Sequence, residues 1–303
     1  MKTDRSILRR AVFVVGPTSA GKSSVAIALA QKCGGEIVNA DAFQLYRELP
    51  VLGAQPSATE RADVVHHLFG CLACADEMDA ARYAGMALPV VADVIGRGRI
   101  PFVVGGSGLY LQALMAGLPE LPAIDLSLRE TVRAMPLPFM VERLRELDPA
   151  SALSVDVQNP RRVARRLELC LQTGRPASAM LTELPAPEGL RGVVLVRERA
   201  DLAARIADAV ASRLRGGAID EVRAARATAG PTARQILGWR EITAFLDGDS
   251  TEDKCREDIT LATRRYAKRQ LTWFRGRSTF AAEIISSVTP ETLDRIARQL
   301  GLS

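Results

Sequence analysis

Residues 16–23 read Gly-Pro-Thr-Ser-Ala-Gly-Lys-Ser, a match to the G-x-x-x-x-G-K-[ST] phosphate-loop pattern. The preceding Ala11-Val12-Phe13-Val14-Val15 is a continuous apolar run of buried-strand type, and residues 24–30 continue as an apolar helix that should end near Gly34-Gly35. Strand, loop and helix in that order restrict the chain to an α/β arrangement with the loop at the strand's carboxyl end. Gly16, Pro17, Thr18, Ser19, Ala20, Gly21, Lys22 and Ser23 are the candidate diphosphate- or nucleotide-binding residues. The glycines allow backbone N–H groups to approach phosphate oxygens, and the helix adds its positive end. Lys22 supplies a mobile cation and Ser23 a hydroxyl for Mg²⁺. The loop alone does not name a reaction. It serves phosphoryl transfer, and equally well a diphosphate that leaves from carbon.

At 303 residues, with 48% hydrophobic, 25% charged and 5% aromatic residues, the chain can bury a sizeable core and is neither disordered nor disulfide-held in character. No apolar run reaches the roughly 20 residues of a membrane helix, and residues 1–5 lead into the first strand without a signal-type segment, so a cytoplasmic protein without membrane contact is expected. Cys33, Cys71, Cys74, Cys170 and Cys255 are odd in number and scattered, as reduced thiols would be. His66, His67, Cys71 and Cys74 invite a metal-site reading, but adjacent histidines and a single C-x-x-C support it weakly. The net charge of +5 gains meaning from its placement. Arg161, Arg162, Arg165 and Arg166 form one cluster, and Arg264, Arg265, Lys268, Arg269, Arg275 and Arg277 form another, interleaved with Tyr266, Trp273 and Phe274. Cations among aromatic rings suit nucleic acid, while a solvated helix face is the plainer alternative.

Further strands are read at residues 36–39, 101–104, 192–196 and 279–284, with helices between them and a kink or split expected at Pro89 within residues 80–95. Helices are also read at 202–214, 218–226, 234–246 and 258–273, with a final one opening at Thr289-Pro290. The expected fold class is α/β, a P-loop NTPase-like parallel sheet with helices on both faces. Residues 123–187 lack strand-like runs and carry helical periodicity, so a helical insertion domain is expected. The division is 1–122 for the first part of the core, 123–190 for the insertion and 191–303 for the second part. Gly16, Asp41 and Gly105-Gly106-Ser107 each follow a strand and could line one cleft.

Taken with Asp41-Ala42-Phe43-Gln44-Leu45-Tyr46-Arg47, Gly98-Arg99-Ile100-Pro101 and Gly105-Gly106-Ser107-Gly108-Leu109-Tyr110, the loop makes the chain resemble the tRNA dimethylallyltransferases. Residues 159–168, 173–176, 237–241 and 263–273 look like that family's later landmarks, and the resemblance spans about residues 10–277. It implies transfer of the dimethylallyl group of dimethylallyl diphosphate to the exocyclic amine of the adenosine 3′ to a tRNA anticodon, with Mg²⁺ as cofactor and Ser23 beside the metal. Asp41 is the implied general base, although an aspartate after a strand is otherwise a helix cap or metal ligand. Ser107, where the family has threonine, is the implied second catalytic hydroxyl, with a plain turn serine as the rival. Arg199 and Arg205 match the family's diphosphate-contacting region. The resemblance assigns tRNA contact to Asp41, Ala42, Phe43, Gln44, Ser107, Arg129, Arg161, Arg162, Val163, Ala164 and Arg165, and to Ile236, Leu237, Gly238, Trp239, Arg240 and Glu241.

The partners implied are a tRNA anticodon stem-loop and dimethylallyl diphosphate, and a monomer is expected. The target base must leave its stack to reach the cleft. Four departures from the family stand out. Ala42 replaces a serine, Leu52-Gly53-Ala54-Gln55-Pro56 replaces Gly-Thr-Ala-Lys-Pro, Gly70 replaces an aspartate, and residues 124–149 are shortened. The rival functions are prenyl transfer to free adenine nucleotides, small-molecule phosphotransfer, and RNA binding without catalysis.

Overall fold

The computed structural model describes residues 4–182 and 184–302. Six strands form one parallel sheet: β1 (Val12–Val15), β2 (Gly35–Asn39), β3 (His66–His67), β4 (Ile100–Gly105), β5 (Arg191–Val196) and β6 (Ala281–Ile284), in the spatial order β3-β2-β4-β1-β5-β6. The run Val12-Phe13-Val14-Val15 is wholly buried because β1 lies inside the sheet, with Val15 opposite Gly105 of β4 and Val194 of β5. Burying each such side chain contributes roughly 1.5–3 kcal/mol, which holds β1 centrally without any periodicity of its own. From β1 the chain moves outward to β2 and β3, returns through β4, and then continues on the other side through β5. Strand order therefore reverses around β1, and ligands collect at the carboxyl ends of strands beside such a reversal.

The Lys22–Cys33 helix starts at Gly21 and stops at Gly34, whose N–H reaches the Ala30 carbonyl. Its buried Val25, Ala26, Leu29 and Ala30 join Val12, Val14, Val104 and Leu195 in the sheet's core. The helix at Ala80–Gly96 runs unbroken through Pro89, contrary to the split expected there. Pro89 and Gly85 both lie on its exposed side, so water can satisfy the carbonyl that loses a donor, while Tyr83, Ala87, Val91 and Val94 anchor the buried face. The helix expected over 234–246 is divided into a 3₁₀ turn at Ala233–Gln235 and a helix at Trp239–Leu246. Gly238 at φ 97° ends the run between them, a conformation that costs other residues about 1–2 kcal/mol. The penultimate helix is longer than expected, Glu252–Arg277. No helix among the described residues is long and apolar enough to cross a membrane.

The chain divides into two compact units, Met1–Ala116 with Ala186–Ser303, and Gly117–Pro185. The second is all helical, with helices at Leu126–Ala134, Leu137–Leu147, Pro149–Ser154, Pro160–Thr173 and Ala177–Met180. Val132, Leu144, Val163 and Leu167 form its own core. Buried Asp148 ties its helices together, accepting from Ser151 N at 3.0 Å, Ser178 N at 2.7 Å and Ser178 Oγ at 2.7 Å. Burial alone would raise this carboxyl, but the serine donors outweigh it and hold it at about 2.

Candidate active site

The phosphate loop is shaped by one close approach. At Gly16, φ is 146°, and a Cβ would lie 2.3 Å from the Leu195 carbonyl oxygen of β5. Only glycine lets β1 turn here without parting the two strands. Ser19 also takes a positive φ, 63°, before Gly21 opens the helix. The loop is then tied from outside by two arginines and from within by its own lysine. Arg197 donates through Nε to Ala20 O at 2.9 Å, Arg205 through Nε to Ser19 O at 3.1 Å, and Lys22 through Nζ to Pro17 O at 2.8 Å. Buried Gln270 accepts from Thr18 N and donates to Gly106 O, each at 2.9 Å, joining the loop to the turn after β4.

Asp41 follows β2. Fully buried Asn39 sets its position, accepting from Asp41 N at 2.8 Å and donating to Asp41 O and Leu68 O. Asp41 Oδ1 accepts from Phe43 N at 3.1 Å and caps the 3₁₀ turn Ala42–Gln44. The cap and the catalytic reading are compatible, because no hydrogen bond among the described residues engages Oδ2. Ser107 is buried, and its Oγ accepts from Ala42 N at 2.9 Å, fixing the peptide next to Asp41. The Tyr266 hydroxyl lies close enough to Ser107 for the serine to act on its ionisation, and its ring lies 5.3 Å from that of Phe43 with Arg269 over its face.

Residues of the phosphate loop line one cleft of about 450 Å³ with Asp41, Phe43, Arg205 and Tyr266, a size suited to a small-molecule ligand, while Ser107, Asn39, Arg197 and Gln270 stand behind its lining. Its polar lining includes Thr18, Ser19, Gly21, Lys22, Ser23 and Arg205, together with Asp41, whose charge acts on that of Lys22. Phe43, Gln44, Ile236, Leu237 and Tyr266 supply an apolar and aromatic wall, and the break at Gly238 is what brings Ile236 and Leu237 to it. Desolvation raises the Asp41 carboxyl above its ordinary range, and Lys22 partly offsets this. Desolvation likewise pushes the Lys22 ammonium down to about 8, opposed by Asp41. A cation and a carboxylate thus share a confined space with their charges in reach of titration, a combination that marks functional sites.

Ser23 is exposed in the cleft. Mg²⁺ keeps most of its waters and takes one or two protein oxygens plus substrate phosphates, so a single hydroxyl at the loop fits that ion. Among the described residues no three His, Cys, Asp or Glu side chains converge as a metal cage. His66 Nδ1 meets Val64 O and His67 Nε2 meets Glu36, so both imidazoles are engaged in the sheet edge.

Other expected site residues fall elsewhere. Arg199 begins the Arg199–Arg215 helix, exposed and outside the cleft lining. Trp239 is buried and Arg240 exposed on the next helix. Glu241 is part-buried and ion-paired with Arg240. In the helical unit, Arg129 is part-buried, Arg161 and Arg162 are exposed, Val163 and Ala164 turn into the core, and Arg165 pairs with Glu168 at 3.6 Å. Sequence reasoning missed Asn39, Arg197, Arg213 and the bridging role of Gln270. Arg197 carried a signal, since it stands at the end of β5 just as Asp41 stands beyond β2.

The family profile described as IPP transferase matches residues 44–277, and that described as isopentenyl transferase matches residues 9–66. The chain is 42% identical over 276 residues to the tRNA dimethylallyltransferase of Parvibaculum lavamentivorans, covering 88% of each protein. The full-length tRNA isopentenylpyrophosphate transferase of Bacillus halodurans has a similar structure, with 30% identity, a TM-score of 0.69 and 96% of both chains covered. A eukaryotic dimethylallyltransferase acting on tRNA shares the fold at 24% identity, with a TM-score of 0.75 over 90% of this chain and 73% of its own. Phosphate loop, strand-end aspartate and parallel sheet thus sit in a chain that belongs to the tRNA dimethylallyltransferase family of IPP transferases.

Proposed function

We propose that the protein transfers the dimethylallyl group from dimethylallyl diphosphate to N6 of the adenosine 3′ to the anticodon in tRNA, releasing diphosphate. The observation that carries this reading is that Asp41 lines the same cleft as Lys22 and the phosphate loop, close enough for the two charges to act on each other. The adenosine N6 forms a bond to the allylic carbon, the carbon–oxygen bond breaks, and the electron pair leaves with the diphosphate. The N6 proton passes to the Asp41 carboxylate. An aryl amine is a weak nucleophile, so proton acceptance at one end and charge neutralisation at the other both lower the barrier. Lys22 and Arg205 oppose the departing charge, and Ser23 would hold Mg²⁺, which neutralises diphosphate oxygens when bound. Phe43 and Tyr266 provide a wall on which an extruded purine can stack. Arg129, Arg161, Arg162 and Arg165 of the helical unit would contact RNA backbone. Ser107 positions the Asp41 loop through Ala42 N.

The test is to incubate the protein with Mg²⁺, dimethylallyl diphosphate and unmodified tRNA and to analyse the nucleosides by mass spectrometry. A five-carbon addition on one adenosine supports the reading. Modification of AMP in preference to tRNA, or tRNA binding without product, overturns it.

A further inference from the structure

Among the described residues that line the cleft, Arg213 is the one cation that the proposed chemistry leaves unused. It stands eight positions after Arg205 on the Arg199–Arg215 helix, and both side chains, with Ala209 between them, line the cleft on one helix face. Its Nε donates to Ala209 O at 3.2 Å and one Nη to Leu52 O at 3.4 Å. Its other Nη makes no hydrogen bond among the described residues, and none of their ion pairs includes Arg213. Glu221, the carboxylate that holds the same turn, is occupied by Val51 N and Leu52 N at 2.8 Å each. Glu60, which also lines the cleft, closes a capping box with Ser57. A part-buried guanidinium with free donors and no counter-ion in a cleft is a site for an anion.

Two anions enter the proposed reaction, and the geometry separates them. Arg205 reaches the phosphate loop at Ser19 O, whereas Arg213 reaches the 50–55 turn at Leu52 O. Their Cα atoms are about 12 Å apart along the helix, longer than a diphosphate. The 50–55 turn that Arg213 holds contributes Leu52, Gly53 and Ala54 to the same cleft as the Phe43, Ile236, Leu237 and Tyr266 wall suited to a base. A nucleotide that places its base there brings its own backbone phosphate alongside. Resting on the proposed function above, we propose that Arg213 binds a backbone phosphate of the acceptor RNA and so positions the target nucleotide, separately from the diphosphate grip of Lys22 and Arg205.

The test compares wild type with Arg213→Met, which keeps the apolar stem, and Arg213→Lys, which keeps the charge. Steady-state KM is measured for each substrate, and tRNA affinity as a function of salt. For Arg213→Met the expected result is a rise of about tenfold in KM for tRNA, with KM for dimethylallyl diphosphate within twofold of wild type. Its log–log salt slope should fall by about 0.7 to 0.9, the loss of one phosphate contact, and Arg213→Lys should restore the slope. An unchanged slope, with both KM values raised together or with only the melting temperature lowered, would assign Arg213 a purely structural hold on Leu52 and overturn the inference. A rise confined to KM for dimethylallyl diphosphate would overturn it in favour of diphosphate contact. Wild type is assayed in parallel for prenylated adenosine. Failure there sinks the proposed function, whereas an active wild type with an unaltered Arg213→Met sinks only this inference.

Discussion

Asp41 and Lys22 share the cleft with opposed charges, and both are shifted toward neutrality by the same loss of water. Activity needs Asp41 unprotonated and Lys22 charged, so the free enzyme's kcat/KM for dimethylallyl diphosphate should be bell-shaped in pH. The acid limb lies above the ordinary aspartate range because burial raises that carboxyl, and activity is lost as pH falls through it. The alkaline limb lies near 8, where Lys22 gives up its proton. Lys22→Arg should abolish the alkaline limb, since arginine stays charged throughout. A profile flat from about pH 5 to 10 would contradict both assignments. Gly16→Ala should leave little folded, active protein, because its Cβ would lie 2.3 Å from a β5 carbonyl oxygen and the strands cannot part cheaply. Soluble expression and circular dichroism give the readout, and a variant that folds and turns over normally would show the approach to be relaxed.

Between elements, the buried Gln270 bridge joins the Glu252–Arg277 helix to the phosphate loop and to the turn at Gly106. Gln270→Ala should raise KM for dimethylallyl diphosphate by about three- to tenfold, the worth of a hydrogen bond or two, while KM for tRNA stays unchanged. A second element-scale feature explains two departures from the family together. Gln55 donates to Tyr46 O and accepts from Arg61, and its Oε1 lies 3.1 Å from where a Gly70 Cβ would be. The absent lysine and the absent aspartate therefore fall at neighbouring positions. Gln55→Lys alone should destabilise, by placing an ammonium against Arg61. Adding Gly70→Asp should recover about 0.5–1 kcal/mol or more as coupling in a double-mutant cycle, and strict additivity would show the two positions to be independent.

At the scale of the molecule, two separate cores hold two units, and each has its own test. Asp148→Ala removes acceptors for Ser151 and Ser178 and should destabilise the helical unit by about 1–3 kcal/mol. It should raise KM for tRNA and leave KM for dimethylallyl diphosphate unchanged. With its folded pKa lowered to about 2, Asp148 contributes stability above the ordinary carboxyl range, lost as pH falls through that value. The fold was legible wherever signals were local: the buried run of β1, the phosphate loop, Asp41 beyond β2 and Thr289 capping the last helix. β3 escaped because two histidines on a sheet edge carry no apolar pattern. Arg197, Arg213 and Gln270 escaped because the loop carbonyls and amides they hold, Ala20 O, Leu52 O and Thr18 N, lie 177, 161 and 252 residues away, and only tertiary packing supplies them. The division of 234–246 turned on one backbone angle at Gly238, inside a run whose side chains read as helical.

The role of Asp41 as proton acceptor is tested most directly by single-turnover transfer with tRNA and dimethylallyl diphosphate pre-bound, comparing wild type with Asp41→Asn. Asparagine keeps the Oδ1 cap on Phe43 N, so the loop stays in place while the base is lost. The expected result is a transfer rate about 10²- to 10⁴-fold lower, with tRNA affinity preserved. A rate equal to wild type would remove Asp41 from the chemistry.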